Sequence, residues 1–383
     1  MNLLILSSHS ILEYDDLRLF SDLGYDVFIP GAYADPSNPG EMGSRPPLPN
    51  APHHPELNAL CDEQRERHGN IGLDMGIVDW AKADLHPKLI DWADVIMVNC
   101  FPDTWIGYQW ERIREKRVIW RTIGQSNPHL EHEMKRFEGL EIVRYSPAEK
   151  RAFSVTGQFA GEDALIRFCK YPSDFPAWIG DNLVVGNVTQ NLLERGEHCG
   201  LEFWEQATKG LPTQPAGLGS ERMGGLGWLS YEGMLDYLRH LRAYLYMGTQ
   251  PASYTLGLME AMLAGVPVVS IGPAGMWMPA LFEAGHPDDE LLPMDSVFDE
   301  PWGAKVKLHL LLDNEQMAQT ISGNQRRRAA HLFGPETIGP QWLDFLGSPV
   351  TSTVTCGTCG EAINFAYADR IGTSAHECAK VPA

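Results

Sequence analysis

The sequence predicts an α/β protein made of two doubly wound parallel-sheet domains with a ligand cleft between them. Three observations lead there. Short β-branched runs alternate with stretches of helical periodicity, the pattern of parallel strands joined by crossover helices. The alternation starts afresh near residue 173, and a chain of 383 residues with 44% apolar content exceeds what one ordinary core needs. The expected division is 1–172, 173–330, a terminal helix packing back within 331–349, and a tail over 350–383.

The first unit opens on the strand "LLIL", passes through "SSHSILEYDD" as a loop, enters the helix "LRLFSDLG" and returns as the strand "YDVFIPG". Next comes "GAYADPSNPGEMGSRPPLPNAPHHPE", so rich in Pro, Gly and Asn that it reads as a long surface excursion. The runs "ADVIMVNC", "KRVIWRTIG" and "LEIVRYS" complete the set of buried strands. The second unit runs "NLVVGNV", a helix through "LEFWEQATKG", a short strand at "LGWLS", the helix "YEGMLDYLRHL", the strand "AYLYMGT", the helix "LGLMEAMLAG" and the strand "VPVVSIG". "GPQWLDFLG" is a short helix beyond it, and "SPVTSTVT" a small-residue linker into the tail.

Composition narrows the function. The formal net charge of −20 opposes a polyanionic partner on average. The charge is uneven, however. Residues 1–110 carry 6 Lys+Arg against 17 Asp+Glu, whereas 111–170 carry 12 against 9, a locally basic stretch. No apolar run approaches the roughly 18 residues of a membrane-spanning helix. The opening "MNLLILSSHS" lacks a basic leader and reads as a strand, so a cytoplasmic location is expected. Seven cysteines, an odd and widely spaced set, give no disulfide framework.

The chemistry concentrates in "YTLGLMEAMLAGVPVV", residues 254–269. A helix begins near Leu256 after a turn, with Tyr254 and Thr255 at its mouth. The free N–H groups and positive dipole end of a helix start make a site for an anion such as a diphosphate. Glu260 lies one turn deeper among Leu258, Met259, Ala261 and Met262, which marks it as buried. A buried carboxylate needs partners, and the vicinal hydroxyls of a ribose would supply them. Gly265 and Pro267 stop the helix and start the next strand.

"PASYTLGLMEAMLAGVPVV" resembles the nucleotide-sugar-binding signature of retaining GT-B glycosyltransferases, in which two glutamates straddle a glycine-rich helix start. The resemblance implies two Rossmann-like domains and a nucleotide-sugar donor, a UDP-sugar in the first instance. It also implies a ribose held by Glu260, and donor phosphates held by the backbone of Tyr254, Thr255 and Leu256. The signature's first glutamate, which touches the sugar, falls on Ala252 here. Of the Arg and Lys pair that neutralises the diphosphate, Arg195 is the match for the arginine; Lys209 would substitute for the lysine only if the intervening helix brings it near. Where the family often places a histidine, this chain has Asn99.

Acceptor chemistry belongs in loops at the carboxyl ends of the first-domain strands, which face such a cleft. His9 directly follows the first strand, as a base assisted by Asp15 or Asp16, as a phosphate donor, or as a plain cap. Asp103, in "NCFPDTW", is a second base candidate, alternatively a turn-forming residue. Arg121 and Gln125, in "WRTIGQSNPH", are placed along the same cleft. The acceptor hydroxyl stays open between a hydroxymethylated pyrimidine in DNA, which the basic stretch suggests, and a glycan, lipid or small molecule. A rival reading from another class is a noncatalytic nucleotide-sugar sensor or scaffold.

The tail reads Cys356-x-x-Cys359 and, sixteen residues on, His376-x-Cys378. Two close pairs of soft ligands match a structural tetrahedral Zn²⁺ site, a staple that a short coreless tail needs.

Overall fold

The computed structural model describes residues 1–30, 45, 46, 48, 51–68, 78–272, 292 and 294–349, together with two short strands in the tail. The strands are β1 (Asn2–Leu6), β2 (Asp26–Phe28), β3 (Val95–Val98), β4 (Arg117–Arg121), β5 (Glu141–Arg144), β6 (Ala164–Leu165), β7 (Asn182–Gly186), β8 (Leu241–Tyr246), β9 (Val268–Ile271) and β10 (Val297–Phe298). The tail adds β11 (Thr353–Thr355) and β12 (Ala362–Asn364), an antiparallel pair.

Helices fill the intervals. The first half contains α1 (Ser10–Asp22), α2 (Pro55–His68), α3 (Pro87–Trp92), α4 (Pro102–Ile113), α5 (Pro128–Met134) and α6 (Pro147–Thr156). The second contains α7 (Leu192–Arg195), α8 (Leu201–Thr208), α9 (Tyr231–His240), α10 (Leu256–Ala264), α11 (Pro301–Asp313), α12 (Glu315–Phe333) and α13 (Pro335–Leu346). Proline at the first helical turn, where a missing N–H costs nothing, opens α4, α5, α6, α11 and α13. Asn127, Ser146, Ser230 and Asn314 accept helix-start amides as caps of α5, α6, α9 and α12.

The first sheet has strand order β2-β1-β3-β4-β5-β6, every pairing parallel. β3 is buried throughout, and β1 and β4 are buried after their first residue, which explains their unbroken apolar runs. The second sheet runs β10-β9-β8-β7, also parallel. Parallel bridges Val185↔Thr213 and Val188↔Ala216 add the 213–216 segment outside β7. Each sheet therefore runs second, first, third, fourth, fifth from its edge. In such an order the chain leaves its first strand in one direction and later crosses to the other side, opening a crevice at the carboxyl ends of strands one and three.

Two expectations need correction. "SSHSILEYDD" is not a loop: α1 begins at Ser10, because His9 caps it and Ile11, Leu12 and Tyr14 start its apolar face. "LGWLS" is not a strand; the extra strand-like segment comes earlier, at 213–216, where Gln214 and Ala216 donate to the carbonyls of Val185 and Asn187. Most of the expected surface excursion lies outside the described residues. So do the four tail positions Cys356, Cys359, His376 and Cys378, and no metal-binding group of His, Cys, Asp or Glu occurs among the residues described. No described helix is long and apolar enough to cross a membrane.

The core crosses between the sheets. Leu12, Tyr145, Ala148 and Phe168 join one continuous cluster with Tyr254, Leu258, Met259 and the second sheet. Tyr145 is the hinge pin of this contact. Its hydroxyl accepts from the Ser253 N–H and hydroxyl, both at 2.8 Å, and its carbonyl accepts from the Tyr254 hydroxyl at 2.9 Å. α13 crosses back and buries Ile338, Trp342 and Leu346 against Leu3, Ile5 and Phe20.

Candidate active site

Both crevices open onto one cleft of about 540 Å³. From the first sheet, His9 after β1 and Ile123, Gly124 and Gln125 after β4 form one wall. From the second, Val188–Gln190 after β7, Arg195, the stretch after β8 and the start of α10 form the other. A smaller cavity of about 90 Å³ adjoins it, lined by Gly217, Trp228, Leu229, Tyr231 and Met234 and sharing Ile11, Val188, Gln190 and Glu260 with the larger.

α10 presents its N-terminus to the cleft. Thr255 caps it in an extended conformation without a side-chain cap bond, and the backbone N–H groups of Leu256 and Gly257 take no backbone partner among the described residues. Gly257 keeps the approach open: a Cβ there would stand 3.6 Å from the Tyr244 hydroxyl and 3.7 Å from the Val188 carbonyl. Gly265, at φ +89, ends the helix and sends its N–H back to Ala261 and Met262.

Glu260 is buried as its neighbours imply, but it is not solitary. Its Oε1 lies 2.7 Å from Lys170 Nζ and 3.3 Å from Arg45 Nη2, and Lys170 Nζ is 2.8 Å from Asp15 Oδ2. Arg45 also stacks over Tyr231, 4.0 Å from the ring centre. Among the described residues Oε2 takes no hydrogen bond, while Glu260 itself lines both cavities. Burial acts to raise the Glu260 pKa, yet Lys170 and Arg45 outweigh it and hold the carboxyl below its ordinary value. For Asp15 burial wins, and its pKa rises to about 6 despite Lys170 and Arg45. Burial opposes the charge of Lys170, but Asp15 and Glu260 raise its pKa and keep it an ammonium.

His9 caps α1, its Nδ1 accepting from the Leu12 N–H at 3.4 Å. It keeps surface open to the cleft while protein crowds it from behind. That partial loss of water, with the nearby Lys170 charge, lowers its pKa and leaves a neutral ring whose proton is on Nε2. Asp15 and Asp16 are engaged elsewhere, with Lys170 and with Arg121.

The structure thus gathers His9 and Gln125 on one wall and Arg195, Tyr254, Thr255, Leu256 and Glu260 on the other wall of one cleft. Tyr254 contributes backbone and ring, since its hydroxyl is spent on Tyr145. Asp103 lies elsewhere: it sits exposed in the first turn of α4 and does not line the cleft. Arg121 is fully buried against Asp16, Phe168 and Trp342, so it is structural. Lys209 is exposed at the end of α8 and also outside the cleft. Sequence reasoning missed Lys170, Arg45, Tyr231 and His198, the last a cleft residue beside Arg195. A lysine inside "IRFCKY" was a legible sign of a buried charge with a partner.

No protein-family model and no curated protein matches the sequence. Solved structures do. The Anabaena protein HepE, in a structure with UDP and glucose, aligns over 91% of this chain and 100% of its own at 15% identity and TM-score 0.60. An alpha-glucosyltransferase solved with UDP and a 13-mer DNA containing an HMU base aligns over 90% and 99%, at 9% identity and TM-score 0.51. The chain spans 55% of the length of TarM, at 12% identity and TM-score 0.48. The fold is α/β with parallel sheets, and it resembles that of GT-B glycosyltransferases.

Proposed function

We propose that the protein transfers a sugar from a nucleotide diphosphate donor, a UDP-sugar in the first instance, to an acceptor hydroxyl. The observation that carries this reading is Glu260: an ionised carboxylate one turn inside an open helix mouth, lining two cavities, with Oε1 held by two cations and Oε2 without a hydrogen bond among the described residues. The diphosphate lies against the N–H groups at the start of α10 and beside Arg195. The ribose hydroxyls donate to Glu260 Oε2, and the base enters the smaller cavity past Leu229 and Tyr231. The sugar then faces His9 and Gln125, where the acceptor binds. In the reaction the bond from the sugar's anomeric carbon to the diphosphate breaks and one to the acceptor oxygen forms. The hydroxyl proton passes to an oxygen of the departing diphosphate, because His9, with Nδ1 engaged by the Leu12 N–H, offers no free acceptor; Arg195 and the helix mouth meet the charge that develops on that diphosphate.

The halves 1–172 and 173–330 are read as acceptor and donor domains that close on the donor. The tail pairs Cys356/Cys359 and His376/Cys378 are read as a zinc staple, on their spacing alone. Metal analysis giving about one zinc per chain supports that reading, and its absence ends it. The test of function is turnover. Labelled donor should be transferred or slowly hydrolysed by the wild type, whereas Glu260→Gln should bind UDP about 1–3 kcal/mol more weakly, the cost of a lost charged partner. Donor bound but never transferred or hydrolysed across a broad acceptor panel would make this a sensor protein instead.

A further inference from the structure

Lys170 touches neither cavity, yet it is the charge on which the donor carboxylate rests. Its backbone N–H is tied to the Phe333 carbonyl at the end of α12, 2.9 Å away, so the residue is fixed at both ends. Its side chain is 3% exposed. From there Nζ reaches two helices on opposite sides of the cleft: Asp15 on α1, which His9 caps, and Glu260 on α10, whose mouth faces the cleft. A buried ammonium survives only where carboxylates compensate it, and these two do. Lys170 and Arg45 both take Oε1 of Glu260. Among the described residues nothing bonds Oε2, which leaves that oxygen for a ligand.

We propose that Lys170 is a positioning residue for donor binding: by holding Oε1 of Glu260 it fixes the rotamer that turns Oε2 to the ribose, and through Asp15 it locks the His9-bearing helix to the donor helix. The proposal rests on the donor-site reading above. It predicts an effect transmitted through Glu260 rather than by contact with ligand.

The experiment is calorimetric titration of UDP into wild type, Lys170→Met, Lys170→Arg and Glu260→Gln, with melting temperatures recorded alongside. Lys170→Met should weaken UDP binding about tenfold or more, and Lys170→Arg should recover it to within about threefold. In a Glu260→Gln background the loss caused by Lys170→Met should largely vanish, because the carboxylate it orients is gone. In steady-state assays the donor KM should rise by more than kcat falls. If Lys170→Met does not fold, the Asp15→Asn/Lys170→Met pair removes opposite charges together and should show the same affinity loss. A Lys170→Met protein that binds UDP like wild type overturns the proposal, as does an equal loss in both backgrounds, which would mark a purely structural lysine. Wild type that binds no UDP overturns the donor-site reading and this proposal with it.

Discussion

Glu260 meets its two cations, Lys170 and Arg45, from segments far away in the chain, and its proposed donor-binding role depends on that meeting. Glu260 was legible because turn chemistry, an apolar helix and a terminating glycine all lie within sixteen consecutive residues, 254–269. Lys170 and Arg45 come from 90 and 215 positions away, and no local pattern encodes such a meeting. The same limit hid Glu149, a fully buried acid that accepts from the Thr122 hydroxyl at 2.6 Å and stands 3.9 Å from Arg144. Arg144 is already taken by both oxygens of Glu131, so burial dominates and raises the Glu149 pKa to about 7. A folded-state pKa above the ordinary value of 4.5 means that the native state binds the proton more tightly than the unfolded chain. Stability contributed by this group is full below pH of about 4.5 and declines until about 7. Glu149→Gln keeps the acceptor without the charge. Its melting temperature, compared with wild type, should therefore improve between pH 5 and 7 and level off above; a constant difference from pH 5 to 7 would contradict the assignment.

At the scale of elements, strands and helices with strong periodicity were read correctly and the edges were not. β1, β3, β4 and β8 are buried apolar runs that declare themselves. The edge segment at 213–216 contains Pro and Gln and pairs through only two bridges, so it leaves almost no pattern, whereas the more apolar "LGWLS" imitates a strand. His9 was visible, and its cap role stood as one of three alternatives that sequence alone did not separate, histidine being an uncommon choice there. The mouth of α10 makes a sharp prediction. Gly257→Ala meets only ordinary contacts and removes a helix-weakening glycine, so folding stability should hold or rise by up to about 1 kcal/mol. The added methyl nevertheless intrudes between the amides and the phosphates, and UDP affinity should fall about tenfold. Unchanged affinity would remove the helix start from the binding site.

At the scale of the whole molecule, the doubly wound order was legible from alternation alone, but which charges are free was not. The basic stretch 111–170 suggested a face for DNA. Among the described residues at least eight of its twelve cations are committed to ion pairs with acids, those of Arg121 and Arg144 fully buried. Together with the net charge of −20, this favours an uncharged acceptor hydroxyl, and the protein should show no salt-dependent binding to duplex DNA at low ionic strength. Tight binding that weakens steeply with added salt would restore the nucleic-acid acceptor. The claim beneath all of this is where the donor sits, and a crystal structure of the protein with UDP measures it directly. The account predicts ribose hydroxyls within hydrogen-bond reach of Glu260 Oε2, the diphosphate on the amides at the start of α10, and Lys170 still on Oε1. UDP bound away from α10, or Glu260 making no contact with the ribose, would contradict it.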